Sequence, residues 1–435
     1  MYRKALQQLL EWKDSPYRKP LILEGARQVG KTWLLKEFAG IAYQEHVYIN
    51  FDNDPLAKRI FEQDLDVKRI IRELSLYHGK NISPKSTLLI FDEIQEMPAA
   101  LASLKYFYEN APEYSVACAG SLLGIALHQG TNFPVGKVDF IKLYPMSFEE
   151  FLISWDKKQF AELLHSGDTE TLNRFACRYE DALRYYYYVG GMPEVVQRFL
   201  DTEDMLQVRE VQNNILNAYT NDYSKHAPRE QIPRIDQVWR SIPSQLAREN
   251  KKFVYGVVRE GGRARDYEVA LMWLNHCGLI HQLYRTTKPS VPLKAYTDLK
   301  AFKIYLLDVG LLSCMAGIEA RILIKGNDIL KEFKGALTEQ YVLQELTANY
   351  SNTLCYYSNE HNSSEVDFLI DNGDSIIPVE VKAETNLQAK SLKSYIQTYN
   401  PAIAIRTSMT NLRKEAQLLN LPLYAIGAWK DWLSE

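Results

Sequence analysis

Two sets of residues in this chain have types and spacings that could do chemistry. The first is Gly25-Ala26-Arg27-Gln28-Val29-Gly30-Lys31-Thr32, which fills the pattern G-x-x-x-x-G-K-[ST]. A loop with glycines at both ends can curl tightly enough to aim its N–H groups at phosphate oxygens, and a following helix N-terminus favours the same negative charge. Lys31 is then placed to reach the β- and γ-phosphates of a nucleotide, and the Thr32 hydroxyl to ligate Mg²⁺. The apolar run Leu21-Ile22-Leu23 precedes the loop and the helical run WLLKEFAG follows it. Such a setting is what separates a phosphate-binding loop from a glycine turn that matches by chance. A second run, Leu88-Leu89-Ile90-Phe91-Asp92-Glu93, ends an apolar strand in two carboxylates. Asp92 is placed to hold Mg²⁺ and Glu93 to polarise an attacking water, with a solvated acidic turn as the plainer alternative.

The second set lies near the C-terminus. Glu365-Val-Asp-Phe-Leu-Ile and Ile376-Ile-Pro-Val-Glu-Val-Lys382 read as strands around Asp371-Asn372-Gly373-Asp374, and Asn-Gly is a strong two-residue hairpin signal. Pairing 371 with 374 sets Asp367 opposite Pro378. Glu380 then becomes its diagonal neighbour at roughly 5.5–8 Å, with Lys382 on the same face. Two carboxylates beside a lysine suit a hard divalent cation and a nucleophilic water directed at a phosphodiester. The D…E-x-K arrangement is similar to that of PD-(D/E)xK nucleases, and Glu339, in the helical run GALTEQYVLQEL, matches their helical acid. Glu339, Asp367 and Glu380 are thus candidate Mg²⁺ ligands. Three readings stay open here: an active nuclease, a catalytically silent nuclease-like module, and ordinary charge pairing on a hairpin.

The elements that must carry these residues follow from the rest of the sequence. The chain has 435 residues with 46% hydrophobic and 24% charged, and its net charge is -3. That excludes wholesale disorder and a chain that is uniformly a polycation. No apolar run approaches the ~18 residues of a membrane helix, and the five cysteines form no CxxC pair. A cytosolic, reduced protein with no membrane partner is expected. PLILEG, HVYINFD, TLLIFDE and YSVACAGS alternate with amphipathic stretches, the pattern of a parallel sheet covered by helices. The segment after Ser147 reads as helical as far as Asn221, broken at VGGMPEVV. Strands return after Phe302.

In order along the chain, GARQVGKT, YINFD, LLIFDEIQ, AGS, LYPMSFEEFL, YVGGMPEVV, IYLLDVGLL, KGALTEQYVLQEL, SEVDFLI and PVEVKA resemble a prokaryotic family of AAA-type ATPases. Members of that family carry a C-terminal domain of unknown function similar to restriction-endonuclease folds. The resemblance implies ATP binding and hydrolysis by the first half. It places Ser121, at the end of AGS, as a polar sensor near the γ-phosphate, although Gly120-Ser121 is equally a plain turn. It also implies that Gly190, Gly191, Pro193 and Glu194 shape the end of a helical lid, and that a neighbouring copy of the chain supplies an arginine to the nucleotide.

The expected architecture is therefore multidomain α/β. An AAA-type P-loop core occupies 1–145, a helical lid 146–225, a winged-helix-like unit 226–300 and a PD-(D/E)xK nuclease-like domain 301–435. The winged-helix reading rests on the helical run Asp266–Gly278, on the strands IHQLYRTT and PLKAYTD, and on charge. Between 248 and 303 there are 11 Lys+Arg against 5 Asp+Glu. Arg259, Arg263, Arg265, Arg285 and Lys288 are candidate phosphate contacts if this unit binds DNA. Winged helices also serve as lids and protein contacts.

Overall fold

The computed structural model describes residues 1–121, 133–249, 251–324, 331–359, 364–383 and 390–433. The chain forms two compact units, Met1–Tyr144 with His276–Gly278, and Pro145–Asn275 with Leu279–Glu435.

In the first unit, β1 (Leu21–Glu24), β2 (Glu45–Asn50), β3 (Thr87–Asp92), β4 (Ser115–Gly120) and β5 (Asp139–Lys142) form a parallel sheet in the order β2-β3-β4-β1-β5. β3 and β4 are buried along their whole length, which is why they read as unbroken apolar runs. Phe51, Phe61 and Phe91 meet edge to face on one side of the sheet, with Phe107 against Phe91. The strand not foreseen is β5. It has four residues, sits at the sheet edge and never becomes fully buried. It therefore lacks the apolar run that marks its neighbours.

The second unit begins with helices, including Phe148–Ser154, Ala176–Val189, Pro193–Thr202 and Met205–His226. It ends in a mixed sheet built from β6 (Ile280–Thr286), β7 (Thr297–Leu306), β8 (Leu354–Ser358), β9 (Glu365–Asp371), β10 (Ile376–Val381), β11 (Ala404–Ser408), β12 (Arg413–Glu415) and β13 (Leu418–Pro422). The order is β12-β13-β11-β10-β9-β8-β6-β7. The helix Lys331–Asn349 packs on β7 and β10, and the helix Lys390–Tyr399 on β9 and β10.

Two expectations need correction. Of the two strands read as a wing, IHQLYRTT holds as β6, but most of PLKAYTD is a 3-10 turn (Leu293–Tyr296) and the partner strand β7 starts only at Thr297. β6 and β7 are the outer pair of this large sheet, because β6 runs parallel to β8 with Arg285 against Tyr356 and Thr286 against Tyr357. A boundary at residue 300 thus falls inside β7. The C-terminal hairpin also turns one residue later on each side than Asn-Gly alone suggests. Asp371 pairs with Ile376, and the loop closes through Asn372 N–H donating to Ser375. The shift is two positions, so parity is kept and Asp367 still shares a face with Glu380 and Lys382. Continuing the register sets Asp367 directly against Glu380 instead of diagonally.

Candidate functional sites

The nucleotide motifs converge at the C-terminal end of the first sheet. Lys31 opens the helix Lys31–Ala42, with Gly30 in the left-handed conformation at its N-cap (φ 92°). A Cβ on Gly25 would collide with the carbonyl oxygen of Leu143, so the loop can follow its path only with glycine there. The Lys31 ammonium donates to the carbonyls of Gly25 (2.8 Å) and Ala26 (2.7 Å). β4 lies between β1 and β3, so its end, Ser121, falls between the loop and the acidic pair. Arg27 Nε donates to Ser121 Oγ at 3.2 Å, and Ser121 Oγ to Glu93 Oε2 at 3.4 Å. Glu93 adopts a left-handed backbone (φ 49°) and also accepts from Gln95 at 2.5 Å. Thr32 Oγ1 donates to Asp92 Oδ2 at 2.7 Å, so both residues assigned to Mg²⁺ touch each other. Their hard oxygens suit that ion in type.

One participant was missed from the sequence. Tyr48, on β2, donates its hydroxyl to the same Asp92 Oδ2 at 2.8 Å. Burial, and then this bond to a carboxylate, push the Tyr48 phenol up to about 12. The signal was available, since β2 pairs in register with β3 and Asn50 stands against Asp92. Its meaning depended on knowing that β2 and β3 are neighbours.

Residues 17–152 match the family model of an AAA domain. The first unit thus carries a P-loop within a segment that matches an AAA domain. Residues 180–321 and 334–425 match two further families, each described as a domain of unknown function, DUF8612 and DUF4143. An uncharacterized protein of Haemophilus influenzae is 24% identical over 200 residues, 44% of this chain, and the match spans 43% of that relative. Among solved structures, a Walker-type ATPase of Pyrococcus abyssi aligns with a TM-score of 0.47 at 15% identity, covering 72% of this chain and 95% of that one. The Aeropyrum pernix Orc1 protein in complex with DNA aligns with a TM-score of 0.29 at 13% identity, covering 73% and 93%. The AAA segment is one of three family matches along this chain.

In the second unit the acids and lysines also converge. Asp367 Oδ2 accepts from the Val381 N–H at 2.8 Å, and Lys382 donates to Glu380 Oε1 at 2.7 Å. Glu339, on the helix Lys331–Asn349, binds Lys251 through Oε1 and accepts from the Tyr305 hydroxyl through Oε2 at 3.1 Å. Lys303, on β7 and 1% exposed, lies 2.5 Å from Glu365 Oε1 and 3.9 Å from Glu339 Oε2. Burial, and then the charges of Glu339 and Glu380, hold Asp367 well above the usual carboxylate range. Burial also raises Glu380, against the pull of Lys382. Burial would raise Glu339 too, but Lys251 and Lys303 outweigh it and hold its carboxyl low. Glu380 Oε2 is buried without a hydrogen-bond partner. These oxygen donors suit a hard divalent cation in type. As they stand, no three acids among the described residues gather around one ion position. Glu339, Asp367, Glu380 and Lys382, with Glu365 on the same hairpin, are legible from the sequence, but not Lys251, Lys303 or Tyr305, which come from 34 to 88 residues away from Glu339 along the chain.

The shared motifs of the second unit meet in a buried structural node instead of a reaction site. Asp308 accepts from the N–H groups of Gly191 (2.6 Å) and Leu311 (2.9 Å) and from Gln344 Nε2 (3.3 Å). Gln344 also donates to the Tyr186 hydroxyl at 2.9 Å, and that hydroxyl donates to Met146 O. Met146 N–H donates to Gly191 O at 2.7 Å, and a Cβ on Gly191 would strike the Met146 backbone. Burial pushes Asp308 up to about 6. GGMPEVV, LYPMSFEEFL, LLDVGLL and TEQYVLQEL are thus pieces of one joint.

Of the basic residues, Arg285 pairs with Asp298 at 2.6 Å and Lys288 lies over the Tyr296 ring at 5.0 Å. Arg259, Arg263 and Arg265 are exposed. Arg259 lines an open cleft with Arg234, Glu230, Glu260 and Asp266, so the charge there is mixed. Asn250, inside this stretch, lies outside the described residues.

Proposed function

We propose that this chain is an ATP-hydrolysing protein whose nucleotide state controls a C-terminal, nuclease-like domain acting on DNA. The observation that carries the ATPase half is the meeting of Lys31, Thr32, Asp92, Glu93 and Ser121 at one sheet end, with Thr32 already bonded to Asp92. In this reading the backbone from Gly25 to Gly30 cradles the phosphates, Lys31 leaves the loop carbonyls for the β- and γ-phosphates, Glu93 orients the water and Ser121 reads the γ-phosphate. Thr32 and Asp92 hold Mg²⁺, which when bound neutralises charge on the phosphoryl oxygens. The helices of 146–225 serve as the lid, and a second copy of the chain supplies an arginine.

The nuclease half is supported by element order and by register. The run helix, β8, β9, β10, helix, β11 carries Glu339 on the first helix, Asp367 on β9 and Glu380 with Lys382 at the end of β10. Asp367 and Glu380 fall on one rung, with Lys382 at hand to orient a water. A second reading is favoured by one observation: both Glu339 oxygens are already engaged by cations or a hydroxyl, as expected of a silent module that binds a partner and cuts nothing.

The deciding assay combines ATP turnover with cleavage of plasmid and single-stranded DNA in Mg²⁺ or Mn²⁺. Lys31→Ala should abolish turnover, since the group that meets the β/γ-phosphates is gone. Glu380→Ala should abolish cleavage with turnover intact. Turnover without cleavage under any condition selects the silent module, and no turnover with Mg²⁺ overturns the ATPase reading.

A further inference from the structure

The C-terminal cluster holds more cations than the D…E-x-K pattern supplies. Lys382 serves Glu380, but Lys251 and Lys303 both reach Glu339. The two differ in how they are built in. Lys303 lies within a strand, is 1% exposed, and is clasped by Glu365 as well as Glu339, with its ammonium over the Tyr356 ring at 5.0 Å. Lys251 comes from the segment between the helices Ile232–Leu246 and Tyr255–Val258, and its side chain is 13% exposed. Beside this filled carboxylate, Glu380 is 5% exposed and its Oε2 has no hydrogen-bond partner. A buried acceptor left open is costly, and a ligand with positive charge would satisfy it.

We propose that Lys251 is a removable internal cation that keeps this site closed to divalent metal, and that Mg²⁺ or Mn²⁺ binds there only when the Lys251 ammonium leaves Glu339. The inference rests on reading the cluster as nuclease-like. An ammonium and a metal ion compete for the same carboxylate oxygens, and like charges a few ångströms apart repel strongly inside a protein. Lys303 stays in either state, because withdrawing it would strand a buried charge. Lys251 gates Glu339 while Asp367 and Glu380 Oε2 wait beside it.

The test is a Mn²⁺ titration of the full, nucleotide-free chain, followed by the loss of the free-ion electron paramagnetic resonance signal. Any Mn²⁺ held elsewhere is identified because Glu380→Gln leaves it in place. Wild type should show no Glu380-dependent Mn²⁺ binding across the titrated range, whereas Lys251→Met should bind one equivalent at least tenfold more tightly than the limit that range sets for wild type, and lose it when combined with Glu380→Gln. If Lys251→Met unfolds, Lys251→Gln removes the charge but keeps a donor for Glu339, and is read in the same way. Equal, Glu380-dependent binding by wild type and variant overturns the gate but leaves the metal centre standing. No Glu380-dependent binding by any folded variant overturns both the gate and the nuclease-like reading of the cluster.

Discussion

Asp92 Oδ2 accepts two hydroxyls, from Thr32 and from Tyr48, while Oδ1 accepts its neighbour Glu93's N–H at 3.1 Å. Thr32 must turn toward Mg²⁺ if it is to serve as a ligand, which leaves Tyr48 to keep the carboxylate aimed. A hydrogen bond to a charged acceptor contributes about 1.5–3 kcal/mol. Tyr48→Phe should therefore lower the ATP turnover number by about tenfold or more, with nucleotide affinity changed less than ~2-fold. Steady-state turnover beside a fluorescent-nucleotide binding titration separates the two. Equal turnover would show that Tyr48 merely packs, a plausible rival given the Lys36 ammonium 3.8 Å over its ring. With its pKa pushed up to about 12, Tyr48 remains a donor through neutral and mildly basic pH. It should add no basic limb to the rate profile below about pH 10.

Elements matter most at the joint around Asp308, where a fully buried carboxyl ties the turn before Pro193–Thr202 to the start of the helix Val309–Met315. Its folded pKa of about 6 lies above the unfolded value near 3.8. The fold therefore prefers the protonated acid. The stability this contributes is complete below about pH 4 and is lost as pH rises through about 6, on the order of 3 kcal/mol. Urea titrations at pH 4.5 and 7.5 should show wild type losing stability relative to Asp308→Asn, which has no proton to release. A pH-independent gap between the two would refute the assignment. The same joint shows what a sequence reveals and what it withholds. Leu88–Phe91 announced itself as a buried strand because both faces of β3 are covered, and the glycines of the phosphate loop announced themselves by type and spacing. Asp308, Lys303 and the edge strand β5 did not. A buried acid looks like a surface acid until its partners are known, and those partners lie up to 117 residues away. β6 was legible as a strand, but its partner was placed on PLKAYTD, which is mostly a 3-10 turn before β7, and nothing within 280–306 says that residues 356 and 357 will lie beside β6.

At the scale of the whole molecule, charge is uneven: the net is -3, while 248–303 is basic. If that stretch meets DNA, the exposed Arg259, Arg263 and Arg265 should each release about one counterion. Changing all three to Gln should then reduce the salt slope of log K by roughly 2.7. Fluorescence anisotropy with duplex DNA across a salt series measures it, and an unchanged slope would move any DNA contact elsewhere. The same stretch contains β6, which pairs with β8 only after a long detour through the helix Lys331–Asn349. That pairing has a consequence for synthesis. At ~5–20 residues per second, the β6–β7 ribbon leaves the ribosome several seconds before β8 does. For that interval β6 carries a bare edge, a template for pairing with other chains. A fragment stopped at residue 321, where one matched segment ends, makes the interval permanent. It should aggregate on expression, whereas the chain carried through residue 433 should not, and chaperone demand during translation should rise as the ribbon emerges and fall once Tyr356 and Tyr357 have followed.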